Sequence, residues 1–97
     1  MNNIHRVKIL PIFFKAIIQN RKPFEIRKND RNYKIGDDVI LHEWENEKFT
    51  GRFCIVTIKE IFDISFIAPE YIAFTFDLIS LGNLKYEPTK REKNEQT

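Results

Sequence analysis

The sequence predicts an α+β domain dominated by β-structure: a small β-barrel of about five or six strands, with one N-terminal helix. The chain has 97 residues, which is enough for one domain with one core. One apolar stripe has helical spacing, and several short alternating segments bounded by turn residues follow it. No second helical segment is available for the crossovers that a fully parallel sheet requires.

The N-terminal region is predicted to form a strand and then the helix. Residues Ile4 to Ile9 alternate, with His5, Val7 and Ile9 on one side. Pro11 suits a first helical turn, where its missing N–H is harmless. An apolar stripe follows at i, i+4 spacing and comprises Phe13, Phe14, Ile17 and Ile18. The helix should end near Asn20, which tolerates a left-handed cap, because Pro23 cannot continue it.

The remaining strands alternate with polar turns. Phe24–Lys28 has period two, with Phe24 and Ile26 on one face and Glu25 and Arg27 on the other. Three further strands are predicted over residues 39–44, 53–62 and 71–79. A hairpin connection over 45–51, with Asn46 and Gly51 as turn formers, joins the first two of these strands. A bulge is expected near Lys59–Glu60, and Gly82 is expected to end the last strand. We expect one domain over residues 1–84 and a flexible tail over 85–97, where apolar residues are scarce.

The composition argues against a membrane-spanning, secreted, disulfide-bonded or zinc-binding protein. No apolar run approaches the ~20 residues that a membrane helix needs, and no signal-peptide pattern follows Met1. The single Cys54 excludes an internal disulfide, and with two His it cannot complete a typical closed zinc site. Its apolar neighbours predict an inert core thiol. We therefore expect a cytoplasmic protein without cofactor, metal or membrane partner.

Charge is unevenly distributed along the chain. Between residues 15 and 34, seven basic residues outnumber two acidic ones, whereas residues 37–47 hold five acidic residues and no Lys or Arg. A basic block of this kind fits phosphate binding, but it also fits an ordinary solvated face. Within the block, Glu25 and Arg27 lie on one strand face with Cα atoms about 7 Å apart. Together with Lys22, these two side chains could form hydrogen bonds to the edge of a nucleobase. They could equally form a structural ion pair, and their chemistry leaves both interpretations open.

The pattern Lys22-Pro23-Phe24-Glu25-Ile26-Arg27, followed by Gly36-Asp37, resembles the ASCH domain family, which is related to the PUA fold. The string from Phe24 to Arg31, together with residues 5–11 and 50–52, is most similar to the DUF3850 group, often encoded by phages and mobile elements. The resemblance implies a small PUA-like β-barrel with the N-terminal helix covering an opening, and a cleft there that binds RNA or a nucleotide. The residues that it places in or around the cleft are Lys8, Lys22, Glu25, Arg27, Lys28, Asn29, Asp30 and Arg31.

Two other functions remain open at this stage. Some ASCH relatives deacylate an acetylated cytidine nucleoside with a Lys and a Thr three residues later, but this chain has Lys22 followed by Glu25 at that position. If the protein is an amidohydrolase of this kind, Lys22 and Glu25 are the catalytic candidates, with the carboxylate activating water. The third alternative is a small phage-type protein that binds a host protein. Trp44, within the acidic block, would then anchor the interface, although ordinary barrel packing explains it as well.

Overall fold

The computed structural model describes residues 2–83, and these form one helix and five strands. The elements in chain order are β1 (Ile4–Ile9), α1 (Pro11–Ile18), β2 (Phe24–Lys28), β3 (Asp38–Glu45), β4 (Lys48–Asp63) and β5 (Tyr71–Asn83). The predicted β-dominated fold with one N-terminal helix is confirmed. The predicted tail at 85–97 lies outside the described residues.

The five strands form one sheet in the order β1-β3-β4-β5-β2, curled into a half-barrel. β1 pairs with β3 in parallel, and every other neighbouring pair is antiparallel. β1 and β2 are therefore the two edges of the sheet. Helix α1 packs against β3, β4 and β5, so that its apolar stripe joins the core of the sheet.

The apolar core takes alternate residues of β1, β3, β4 and β5, together with one face of α1. The predicted inward side of β1 is confirmed, because His5, Val7 and Ile9 are all buried. The apolar core comprises Val7, Ile9, Phe14, Ile17, Tyr33, Val39, Leu41, Cys54, Val56, Ile58, Ile72, Phe74 and Phe76. Each large apolar side chain buried there contributes about 1.5–3 kcal/mol. Because Phe74, near the start of β5, is fully buried, its truncation would leave a large cavity.

The end of α1 directs the chain toward β2. The helix ends at Ile18, and Asn20 takes the left-handed conformation predicted for it, with φ 58°. The backbone N–H groups of Arg21 and Lys22 both donate to the Ala16 carbonyl, at 2.8 and 3.2 Å. These bonds satisfy a carbonyl that the helix leaves unpaired, and they bring Lys22 back beside the last turn.

Two predicted turns differ from the structure. The β3–β4 connection is only Asn46–Glu47, both at positive φ, and Gly51 lies inside β4 at φ 98°. Likewise Gly82 does not end β5, which continues to Asn83. A Cβ on Gly82 would lie 2.2 Å from Cζ of Phe53. Glycine is therefore required here because the Phe53 ring packs against the backbone, and not because the chain turns. The bulge predicted near Lys59–Glu60 is confirmed by the shifted pairing there.

Candidate functional site

An open pocket of about 390 Å³ lies between the helix and the edge strand β2. Its walls combine apolar and aromatic side chains with one ammonium and one carboxylate. The lining residues are Ile9, Phe13, Lys22, Phe24, Glu25 and Ile26. Because Ile9 belongs to β1 and three of the others to β2, the pocket lies where the two edge strands approach each other without a backbone ladder.

Strand β2 turns its polar face inward. Glu25 and Arg27 are 5% and 6% exposed, whereas Phe24 and Ile26 are 41% and 51% exposed. The alternation along β2 is therefore as predicted, but the charged pair enters the half-barrel and the apolar pair faces outward. Such an arrangement is stable only when the buried charges are paired, because an isolated buried charge is very costly.

The ammonium of Lys22 lies among aromatic rings and acceptors. Its Nζ is 5.4 Å from the ring centroid of Phe13 and 5.1 Å from that of Phe24. It donates to the Phe24 carbonyl at 2.9 Å and forms an ion pair with Oε1 of Glu25. The pocket thus stabilises a cationic N–H group by ring faces and by two converging oxygens.

Arg27 supports Glu25 from behind. Its Nε donates to Oε2 of Glu25 at 2.9 Å, and its Nη2 donates to the Lys8 carbonyl at 2.6 Å. The guanidinium therefore joins β2 to β1, the two edges of the sheet, through a side chain. Arg27 does not line the pocket; it holds one carboxylate oxygen so that the other can face the pocket.

The other residues of the predicted cleft lie elsewhere. Lys28, Asn29 and Asp30 are exposed at the far end of β2, about 13 Å from Phe24 by the strand rise. Arg31 is half-buried near Tyr33, and burial raises the pKa of that phenol, opposed by the charges of Arg27 and Arg31. The side chain of Lys8 lies over Trp44, with Nζ 4.2 Å from the ring centroid, and burial lowers its pKa. The structure thus brings together the side chains of Lys22, Glu25 and Arg27, and none of the remaining five lines the pocket.

Comparison with known families gives a match over residues 4–76 to a domain of unknown function, DUF3850. The chain belongs to the DUF3850 family. It is also 40% identical, over 72 residues, to an uncharacterized 12.9 kDa protein in the GpA 3′ region of Escherichia phage P2. The aligned region is 74% of this chain and 66% of the phage protein, so this DUF3850 chain spans slightly less than two thirds of that relative's length. The family match includes every residue that lines the pocket.

The sequence does not predict four residues of the DUF3850 pocket as site residues: Ile9, Phe13, Phe24 and Ile26. The sequence predicts Phe13 in the packing stripe of the helix, but this residue is 42% exposed, whereas Phe14 is buried. The available signal was an excess of apolar residues on α1, since Ile12 and Phe13 lie outside the narrow face that a short helix can bury.

Other polar clusters of this DUF3850 domain have structural partners. Nε2 of His5 lies 2.8 Å from Oδ2 of Asp37, and both side chains are buried. Burial would raise the pKa of Asp37, but hydrogen bonds from His5 and from the backbone N–H groups of Asn3 and Lys34 outweigh it and lower that pKa. The carboxylate thereby ties the start of β1 to the turn before β3.

A second buried carboxylate, Glu43, accepts from Nε and Nη2 of Arg52 at 2.8 and 2.7 Å and from the Thr50 hydroxyl at 2.7 Å. On the opposite face, Trp44 packs edge-on against Phe49 with ring centroids 4.7 Å apart. This contact supports the packing interpretation of Trp44.

The thiol of Cys54 is fully buried, and burial together with the charge of Glu25 raises its pKa to about 12. The predicted core position of Cys54 is confirmed, and its low reactivity stays a prediction. Among residues 2–83, no cluster of three or more His, Cys, Asp or Glu side chains is arranged to hold a metal ion. Within the same range, no helix is long and apolar enough to cross a membrane.

Proposed function

We propose that this DUF3850 domain is an ASCH-like, PUA-related module that binds a nucleotide or a segment of RNA in the pocket between α1 and β2. One observation carries the proposal: two aromatic rings, Phe13 and Phe24, flank a pocket that also presents an ammonium and a carboxylate. Aromatic rings stack on nucleobases and contribute about 1–3 kcal/mol per base. Polar groups beside them read the base edge or bind phosphate.

The charge around the pocket fits a polyanion. Lys15, on α1, and Arg21, at the exit of the helix, are exposed on the segment that leads to Lys22. Lys28 is exposed at the other end of β2. These side chains belong to the basic block of residues 15–34, and phosphates would gain from them an attraction that weakens with salt.

The geometry supports binding better than hydrolysis. No hydroxyl or thiol side chain is among the six residues that line the pocket, and Thr75 pairs with Phe24 in the β2–β5 ladder rather than lining it. A hydrolase would have to use Glu25 to activate water. Arg27 already donates to one oxygen of that carboxylate, and no side-chain nucleophile lines the pocket beside the other.

The test is binding of a fluorescently labelled cellular RNA pool, measured by anisotropy at low and at moderate salt. We compare the wild type with Phe13→Ala and Lys22→Ala. Lys59→Ala is the matched control, because Lys59 is exposed on β4 and does not line the pocket. Both pocket variants should weaken binding at least about tenfold while circular dichroism stays unchanged, and the control should bind like the wild type. Absence of binding by the wild type at low salt would refute the proposal.

A further inference from the structure

The Lys22 ammonium lies at a point in the pocket where acceptors and aromatic rings converge. Two acceptors converge on Nζ: the Phe24 carbonyl at 2.9 Å and Oε1 of Glu25. The rings of Phe13 and Phe24 lie 5.4 and 5.1 Å from the same nitrogen. An N–H group with at least two protons thus fills a place that has two oxygen acceptors and two aromatic neighbours.

We propose, on the basis of the nucleotide-binding function above, that the pocket selects nucleobases carrying an exocyclic amino group over bases carrying a carbonyl at the same position. Cytosine and adenine are favoured in this way over uracil and hypoxanthine. A planar –NH2 group has two N–H donors, one for each of the two converging oxygens, and its aromatic ring can stack on Phe13 or Phe24. A carbonyl oxygen placed there would face two other oxygens and leave both without a donor.

Lys22 vacates this place when the base enters. Its side chain is long, flexible and 17% exposed, so the ammonium can follow the phosphate of the same nucleotide while the base takes its position. The backbone carbonyl of Phe24 is held by the β2–β5 ladder and does not move with it. The acceptor pair therefore remains in place after Lys22 leaves.

Arg27 is a positioning residue for this selectivity. Its Nε holds Oε2 of Glu25, and its Nη2 is anchored to the Lys8 carbonyl. With one oxygen held, the carboxylate cannot rotate freely and presents Oε1 to the pocket as an acceptor. A base is thus read by a fixed acceptor pair, and a pocket built around fixed acceptors rejects analogues that lack the donor.

The experiment compares two labelled RNA octamers, oligocytidylate and oligouridylate. They carry the same charge and differ at the base edge at C4, an amino group or a carbonyl, and at N3, an acceptor or an N–H donor. Kd is measured by fluorescence anisotropy at one salt concentration. We expect the wild type to bind the cytidylate octamer at least about tenfold more tightly. An adenylate and inosinate pair should show a preference in the same direction.

Two variants test the origin of the preference. Glu25→Gln offers an amide N–H as well as an oxygen, so the ratio of the two Kd values should fall toward one. Phe13→Ala should weaken both octamers and keep the ratio, because stacking is tolerant of sequence. Circular dichroism must show that Glu25→Gln is folded. If it is not, the ratio of the two Kd values in Phe13→Ala, which should equal that of the wild type, still tests the inference.

The outcomes separate the inference from the proposed function. Equal Kd values for the two octamers, or a preference for uridylate, overturn the inference and leave nucleotide binding intact if Phe13→Ala still weakens it. Failure of both octamers to bind also overturns the inference. Whether the RNA pool binds wild type at low salt then decides the proposed function separately.

Discussion

Replacing Arg27 by Ala removes the side chain that joins the two edges of the half-barrel. In the folded protein, its guanidinium donates to Glu25 at 2.9 Å and to the Lys8 carbonyl at 2.6 Å, with 6% of the residue exposed. No backbone ladder joins β1 to β2. The substitution therefore leaves one buried carboxylate oxygen and one carbonyl without their donor and removes a link between strands distant in sequence.

The expected loss of stability follows from these two bonds. A hydrogen bond with a charged group contributes about 1.5–3 kcal/mol, so two of them account for roughly 3–6 kcal/mol. Lys22 remains paired with the other oxygen of Glu25, which limits the cost of the uncompensated charge. We expect Arg27→Ala to lower the free energy of unfolding by about 3–5 kcal/mol, the range found when one partner of a buried ion pair is removed.

Urea denaturation followed by the fluorescence of Trp44, the single tryptophan, measures this loss. At a slope of about 1 kcal/mol per M, a loss of 3 kcal/mol lowers the midpoint by about 3 M. Arg27→Lys is the matched control, since it keeps the charge, lacks the forked donors and should lose a smaller part of the stability. A decrease below about 1 kcal/mol in Arg27→Ala, with an unchanged slope, would refute the structural role assigned to Arg27.

Two further predictions concern buried titratable groups. Because the folded-state pKa of Asp37 lies below its ordinary value near 3.8, its stabilising contribution is complete above that value and is lost as pH falls through the folded-state pKa. Asp37→Asn should therefore lower stability at pH 7 and weaken the acid dependence below about pH 4 in urea titrations, and an unchanged acid limb would contradict this. Cys54, with a pKa of about 12, should react with a thiol reagent at pH 8 only as fast as the domain opens; rapid labelling of the folded protein would contradict its burial.

Local sequence patterns predicted the elements whose cause is local. The alternation of Ile4 to Ile9 determined β1 and its inward side, and Pro11 determined the start of α1. Asn20 takes the left-handed conformation expected of it, because its short polar side chain tolerates positive φ. The predicted connection between β3 and β4, residues 45–51, is longer than the observed one, which is Asn46–Glu47. Gly51 lies at a positive φ inside β4 and not in this turn.

Long-range contacts account for the features that local patterns missed. Gly82 suggested the end of a strand, but it lies under the ring of Phe53, a residue on the neighbouring strand 29 positions earlier. Similarly, the parallel pairing of β1 with β3 depends on a crossover that contains α1 and β2. No window of the sequence contains both partners of such a contact, so periodicity could not predict it.

The sequence by itself determined the chemistry available to this protein: a β-dominated domain, one N-terminal helix, a buried thiol, and a short strand that carries Glu25 and Arg27 and follows Lys22. The tertiary structure alone decided how that group is used. Curling of the sheet turned Glu25 and Arg27 inward, where Arg27 meets the carbonyl of Lys8, and left Lys22 beside Phe13 and Phe24. The physical reason is that alternation specifies which side chains share a face, whereas closure of the sheet edges specifies which face is buried.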